Sequence, residues 1–307
     1  EVSPNGATRL ERFSACAFAH FLQYGLEVKE RAEYEFKAMD MGNVIHQALE
    51  QFSRNLKKNQ LTWRSLTDQE RDQLIDTSVE ETIHDYGNTI LESSARNQYM
   101  ILRVKRILRR TVWALQQQLK AGKYEPSRFE ISFSMEEDLK ASNFQLSEEE
   151  RLRLRGRIDR VDRYEEDDTI YVKVIDYKSG NTALDLTSVY HGLQLQLIVY
   201  LNAALELEEK NHPGKHAEPA GMFYYHVKDP LVDGKPGDEE EEIERKLLEK
   251  LKVDGLVRAE EKILKDLDRE LEAGKKSLVI PAAYNKNGSL SSRSKTASKE
   301  QFEELCA

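Results

Sequence analysis

The stretch "RLRLRGRIDRVDRYEEDDTIYVKVIDYKSG", residues 151–180, decides how this chain is read. Its first part alternates charged and apolar positions through Tyr164. Its last part is rich in β-branched and aromatic residues, and the acidic quartet 165–168 lies between them. The pattern predicts a β-hairpin. Side chains alternate faces along a strand. Leu152, Leu154, Gly156 and Ile158 therefore line a buried face, and Arg151, Arg153, Arg155, Arg157 and Asp159 a polar one. On the second strand Asp176 and Lys178 share a face while Tyr177 takes the other. Two carboxylates brought together by paired strands repel unless a cation lies between them. Such oxygen ligands suit Mg²⁺, which keeps several waters and takes one or two carboxylates plus substrate phosphate. Lys178 beside them would orient or deprotonate a water, or stabilise charge developing on a phosphoryl group. The residues alone leave a second reading open, a cross-strand ion pair of the kind that is common on surfaces.

Outward from the hairpin, "TRLERFSACAFAHFLQYGL" (8–26) predicts one helix, with Leu10, Phe13, Ala17, Phe21 and Leu22 at helical spacing. A second runs over 40–58, with Ile45, Leu49, Phe52 and Leu56 as its apolar stripe. Two more cover 67–88, opening on a Thr67/Glu70 capping box, and 90–121. Residues 128–135 alternate as a strand, on which Glu130 is left between a place near the carboxylates and solvent. After the hairpin come a helix at 187–208, a strand at 220–227, a Pro/Gly loop at 229–240 and an interrupted charged helical stretch at 241–273. A polar loop at 284–298 and the start of a helix close the chain. The order predicts an α/β fold: a mixed central sheet flanked by helices, with a helical N-terminal region and a helical C-terminal extension.

Charged residues make up 33% and hydrophobic ones 39% of the 307, which suits a helix-rich globular chain and argues against disorder. No apolar run approaches the roughly 20 residues of a membrane helix, and the N-terminus lacks a signal-peptide core. With Cys16 and Cys306 alone, a disulfide framework is not expected and a cytoplasmic setting is. The net charge of −9 argues at face value against a nucleic-acid partner. The distribution argues otherwise: "ILRVKRILRR" (101–110) and "RLRLRGRIDR" (151–160) are basic runs, read either as solvated faces or as a phosphate-binding surface. Trp63, Trp113, Tyr224 and Tyr225 are read as packing residues, and His20, His191 and His226 show no partner pattern.

"GRIDRVD" followed by "VIDYKSG" resembles the core of the PD-(D/E)xK nucleases, specifically their RecB-like branch. The resemblance implies a restriction-endonuclease-like core whose site is Asp159, Asp176 and Lys178. That branch adds a histidine in a G-x-x-x-H setting, matched by Gly42 and His46 in "MGNVIHQAL", and a Q-x-x-x-Y, matched by Gln196 and Tyr200. Alone, His46 reads as an ordinary amphipathic-helix histidine and Gln196/Tyr200 as neighbours on one helix face. Gly42, lacking Cβ, permits a close approach one turn from His46. The opening "TRLERFSACAFAHFLQYGLEVKER" is similar to that of AddB-type nuclease domains, which belong to bacterial AddAB helicase–nucleases.

The resemblance implies a Mg²⁺-dependent DNA exonuclease, with Mn²⁺ also suited. His46, Asp159, Asp176 and the Tyr177 main-chain carbonyl would bind the metal, and Lys178 would work on the attacking water. Gln196 and Tyr200 would position the strand or the site. The substrate would be single-stranded DNA unwound by an AddA-type partner in double-strand-break repair, cut on the strand with the 5′ end at the break. In that family a cysteine matching Cys16 joins three C-terminal ones around a 4Fe–4S cluster. Cys306 has no such spacing, so the chain is expected to stop before the last cluster ligands. The expected organisation is one nuclease domain: a helical front over 1–125, a core over 126–228 and an extension over 229–307. Two other readings compete. A free-standing RecB-like exonuclease of CRISPR adaptation type is disfavoured by the long front and the 229–298 extension. An inactive nuclease fold kept for DNA binding or docking is disfavoured by the intact Asp159, Asp176 and Lys178.

Overall fold

The structure is a computed structural model describing residues 4–28, 38–85, 94–133, 143–145, 151–234, 237 and 239–306. A short strand, β1 (Pro4–Gly6), precedes α1 (Ala7–Ala15), α2 (Ala17–His20) and a π turn over Phe21–Gly25. The single helix expected over 8–26 is thus interrupted: Cys16 adopts extended angles, φ −164° and ψ 104°. Phe13, Phe18 and Phe21 stay exposed, so among the described residues these side chains add no shared packing that would hold the two pieces in one line.

Three long helices follow, α3 (Ala38–Lys58), α4 (Asp68–Asp85) and α5 (Ala95–Ala121). The α3 stripe Ile45, Leu49, Phe52 and Leu56 is buried against Ile75 and Val79 of α4 and Val104, Leu108 and Val112 of α5. The capping box before α4 is formed: Thr67 N donates to Glu70 Oε2 (3.0 Å) and Glu70 N to Thr67 Oγ1 (3.3 Å). The chain then gives β2 (Glu125–Ser132), β3 (Asn143–Gln145), β4 (Arg151–Arg155), β5 (Arg157–Glu166) and β6 (Thr169–Lys178). Next come α6 (Leu186–Tyr190), α7 (Gln196–Asn211), β7 (His216–His226), α8 (Glu240–Leu251), β8 (Asp254–Arg258), α9 (Glu261–Leu267), β9 (Thr296–Ala297) and α10 (Lys299–Cys306).

Six strands form one mixed sheet in the order β2-β5-β6-β7-β8-β9. The β5–β6 hairpin is antiparallel with Asp162 opposite Lys173, and β7 joins β6 in parallel after the α7 crossover. The two faces are covered by different helices. Ile175 and Tyr177 share a core with α3, α4 and α5, whereas Val172 and Val174 share one with Leu197 and Leu201 of α7. On the first face Arg160 is buried, forked onto Asp162 (2.5 and 2.8 Å) and lying over Trp63, and Lys173 reaches the same carboxylate at 3.3 Å. A one-residue slip would carry this charge set to the opposite, apolar face, so it helps to pin the register of β5 and β6.

Three local readings change. The first hairpin strand is two strands: β4 leaves the main sheet at Gly156 and pairs with β1 and β3 in a small sheet of its own. A Cβ on Gly156 would stand 2.3 Å from Phe133 Cζ and 2.8 Å from Tyr200 Cε1, so the backbone passes directly over these rings. The arginine row therefore does not run along one face into Asp159. The helix expected at 187–208 is α6 and α7, separated at Gly192, whose φ is +70°. The stretch 241–273 contains β8, whose buried Leu256 and Val257 extend the central sheet.

The basic run 101–110 also looks different in three dimensions. Lys105 pairs with Glu80 (2.6 Å), Arg109 with Asp76 (2.5 Å), and Arg106 and Arg110 flank Asp229 (2.8 and 3.7 Å). Adjacent charges in sequence say nothing about acids arriving from other segments, and here acids of α4 and the loop residue Asp229 offset most of the run. Trp63, Trp113, Tyr224 and Tyr225 are all buried. Among the described residues no helix is long and apolar enough to cross a membrane.

Candidate active site

Helix α3 carries His46 to the end of the sheet where β2, β5 and β6 meet. Its Nδ1 lies 3.2 Å from Asp159 Oδ1 and 3.9 Å from Glu130 Oε1. One ligand atom from each of the three lies within 4.8 Å of the others, a grouping able to hold a metal ion. Glu130 reaches this point through an unusual backbone: its φ is +48°, a region that non-glycine residues adopt at a cost of roughly 1 kcal/mol or more. Phe129 pairs with Arg160 and Ile131 with Ile158, so Glu130 and Asp159 face each other in a local break of the ladder. The Glu130 side chain is only 4% exposed. Burial, not solvent, is the outcome of the choice the sequence left open.

The Tyr177 amide donates to Asp159 Oδ2 at 2.7 Å and so fixes the orientation of that carboxylate. Gly42 lies one turn from His46, and a Cβ there would meet Ser179 Oγ at 3.4 Å, the turn that follows Lys178. That is an ordinary contact distance, so the approach to this turn does not itself demand glycine.

Alongside stands a second set on the α7 face. Lys178 Nζ lies 2.6 Å from Asp176 Oδ2 and donates to Gln196 Oε1 at 2.8 Å. Gln196 Nε2 donates to Asp176 Oδ1 (2.9 Å) and to the Tyr200 hydroxyl (3.0 Å). The amide thus bridges acid and base, holding both with one rigid group. An i, i+4 spacing on α7 sets Gln196 and Tyr200 on one face, as expected of a helix.

Two buried carboxyls of this cluster, Glu130 and Asp176, resist ionisation. Burial first, and the Asp159 charge second, push the Glu130 carboxyl up to about 8, although Arg157 and His46 pull the other way. The same two causes push Asp176 up to about 6 against the opposing Lys178 ammonium. Burial disfavours a charged His46, but the hydrogen bond and charge of Asp159, aided by Glu130 and Asp176, outweigh it and raise its pKa. Burial also raises the Tyr200 phenol. Carboxyls raised in this way around an imidazole mark a candidate functional site.

The residues fit a divalent cation. Glu130 Oε2 and Asp176 Oδ2 are buried without an aligned hydrogen bond, even though Arg157 Nε and Lys178 Nζ each lie 2.6 Å away. One imidazole nitrogen with carboxylate oxygens suits Mg²⁺, and Mn²⁺ more comfortably than an all-oxygen site would.

Thus His46, Asp159, Asp176, the Tyr177 backbone, Lys178, Gln196 and Tyr200 converge. Cys16 and Cys306 stand apart, as free thiols. Cys16 is exposed at the α1–α2 break, against the buried state its apolar neighbours suggest. Cys306 is half-buried on α10, and burial pushes its thiol up to about 11.

A family model described as the PD-(D/E)XK nuclease superfamily matches residues 6–289, and the chain belongs to that superfamily. Within it, the chain is 45% identical over 309 residues to an AddB-type ATP-dependent helicase/deoxyribonuclease subunit of Lachnoclostridium phytofermentans, covering 98% of this chain and 26% of the relative. It is 39% identical over 303 residues to the corresponding protein of Alkaliphilus metalliredigens, with coverage of 98% and 26%. For that of Thermoanaerobacter sp. strain X514 the identity is 38% over 298 residues, with coverage of 97% and 26%. The chain thus spans about a quarter of the length of the curated relatives it matches.

Proposed function

We propose that the chain is a metal-dependent nuclease domain that hydrolyses phosphodiester bonds of single-stranded DNA. The observation that carries this reading is the convergence of His46, Glu130 and Asp159 beside the Asp176–Lys178–Gln196 set. His46, Asp159, Asp176 and the Tyr177 carbonyl would hold Mg²⁺ or Mn²⁺, with Glu130 as a further carboxylate. When bound, the cation supplies Lewis-acid polarisation of the phosphoryl group and counters its developing negative charge. Lys178, held between Asp176 and Gln196, orients the attacking water and adds positive charge next to the phosphate. Gln196 and Tyr200 keep that ammonium in place.

The names of the relatives support a role as part of a helicase–nuclease. In that setting the domain receives single strands unwound by an AddA-type partner during double-strand-break repair in the cytoplasm. Cys16 would contribute one thiolate to a 4Fe–4S cluster completed by cysteines elsewhere in a longer polypeptide. Cleavage of end-labelled single-stranded DNA tests the core of the proposal. Cutting should require Mg²⁺ or Mn²⁺ and stop with chelator; undiminished cutting in chelator, or none with either metal, overturns it.

A further inference from the structure

The N-terminus of α7 carries Gln196, yet its own N-cap residue, Leu195, supplies no side-chain cap. The first amides of a helix need acceptors. Here they find one across 184 residues of sequence: Glu11 Oε1, on α1, accepts from Leu195 N at 2.7 Å and from Gln196 N at 3.1 Å. Two further contacts hold α1 in that place. Leu10 packs on the core beneath α7, and Ser14 Oγ comes so near that a Cβ on Gly192 would meet it at 3.0 Å. A carboxylate at a helix N-terminus also gains from the helix dipole.

We infer that Glu11 is a positioning residue for the nuclease reaction, an inference that rests on the function proposed above. Its carboxylate fixes the first turn of α7 and therefore the place of the Gln196 amide. That amide in turn bridges Asp176 and Lys178, accepting from Lys178 Nζ and donating to Asp176 Oδ1, and donates to the Tyr200 hydroxyl. Glu11 itself touches none of these side chains through a hydrogen bond. It acts on Lys178 only through the helix start, which ties the exposed α1–α2 segment to the chemistry of the site. A sub-ångström shift of Gln196 loosens the ammonium, and catalysis is steeply sensitive to such displacements.

The test uses the whole chain with Glu11→Ala and Glu11→Gln. Glu11→Ala should lower kcat on labelled single-stranded DNA about tenfold with KM within about twofold. Glu11→Gln, which keeps an acceptor oxygen, should recover to within about threefold of wild type. Hydrogen exchange over residues 193–200 should accelerate in Glu11→Ala and much less in Glu11→Gln, with the rest of the chain unchanged. Wild-type kcat in Glu11→Ala, or unchanged exchange at 193–200, overturns the inference. If the unsubstituted chain cuts nothing, the proposed function falls, and exchange alone still decides whether Glu11 holds the helix.

Discussion

Replacing Glu130 with glutamine should change how the stability of the metal-free protein depends on pH. Glu130 sits 3.9 Å from His46 and is 4% exposed, and its carboxyl is pushed up to about 8 from an ordinary value of 4.5. Between those values the folded chain holds a proton that the unfolded chain has released. Unfolding then releases protons, so stability falls as pH rises, by about 1.4 kcal/mol per unit for one fully shifted group. From pH 6 to pH 8 this amounts to about 2 kcal/mol, because the slope flattens as the folded-state value of about 8 is approached. Asp176, raised to about 6, acts in the same direction at lower pH. His46, also raised, stabilises below its unfolded value and loses that contribution as pH rises through its folded one. Urea unfolding in chelator across pH 6 to 8.5 measures the slope. Glu130→Gln should flatten most of it and leave the variant more stable than wild type at the alkaline end. Mg²⁺ at ten times its Kd should return about 1.4 kcal/mol to the wild type and less to the variant. Parallel curves for the two proteins would refute the claim that Glu130 ionises against its neighbours.

Other outcomes follow from the same site. Asp176→Ala should abolish cleavage while the circular dichroism spectrum stays native, and Lys178→Ala should keep metal affinity by calorimetry yet lose turnover; substantial Mg²⁺-dependent cutting by Asp176→Ala would remove that residue from the site. Gly156→Ala should cost about 1–3 kcal/mol by overpacking Phe133 and Tyr200, and an unchanged melting temperature would show that the rings move aside freely. The isolated chain should be colourless, because Cys16 and Cys306 cannot furnish four thiolates; stoichiometric iron and sulfide in it would contradict this.

What the sequence determined by itself is what short-range periodicity encodes. The hairpin, the apolar stripe of α3 and the i, i+4 pair Gln196/Tyr200 all follow from side-chain directions within a single element, as does the Asp176/Lys178 face. The mixed sheet follows from the order of those elements, and the PD-(D/E)XK membership from motifs lying on them. Tertiary structure alone decided the rest, because it depends on what another segment brings close. The break at Gly156 comes from two rings packed above the chain, and Cys16 is exposed where α1 gives way to α2. Acids from α4 and Asp229 offset the 101–110 run, and a left-handed residue turns Glu130 from undecided to buried beside His46. Glu11 is the extreme case. Nothing local in its helix signals a role, since the amides it accepts belong to a helix that only the fold places against it.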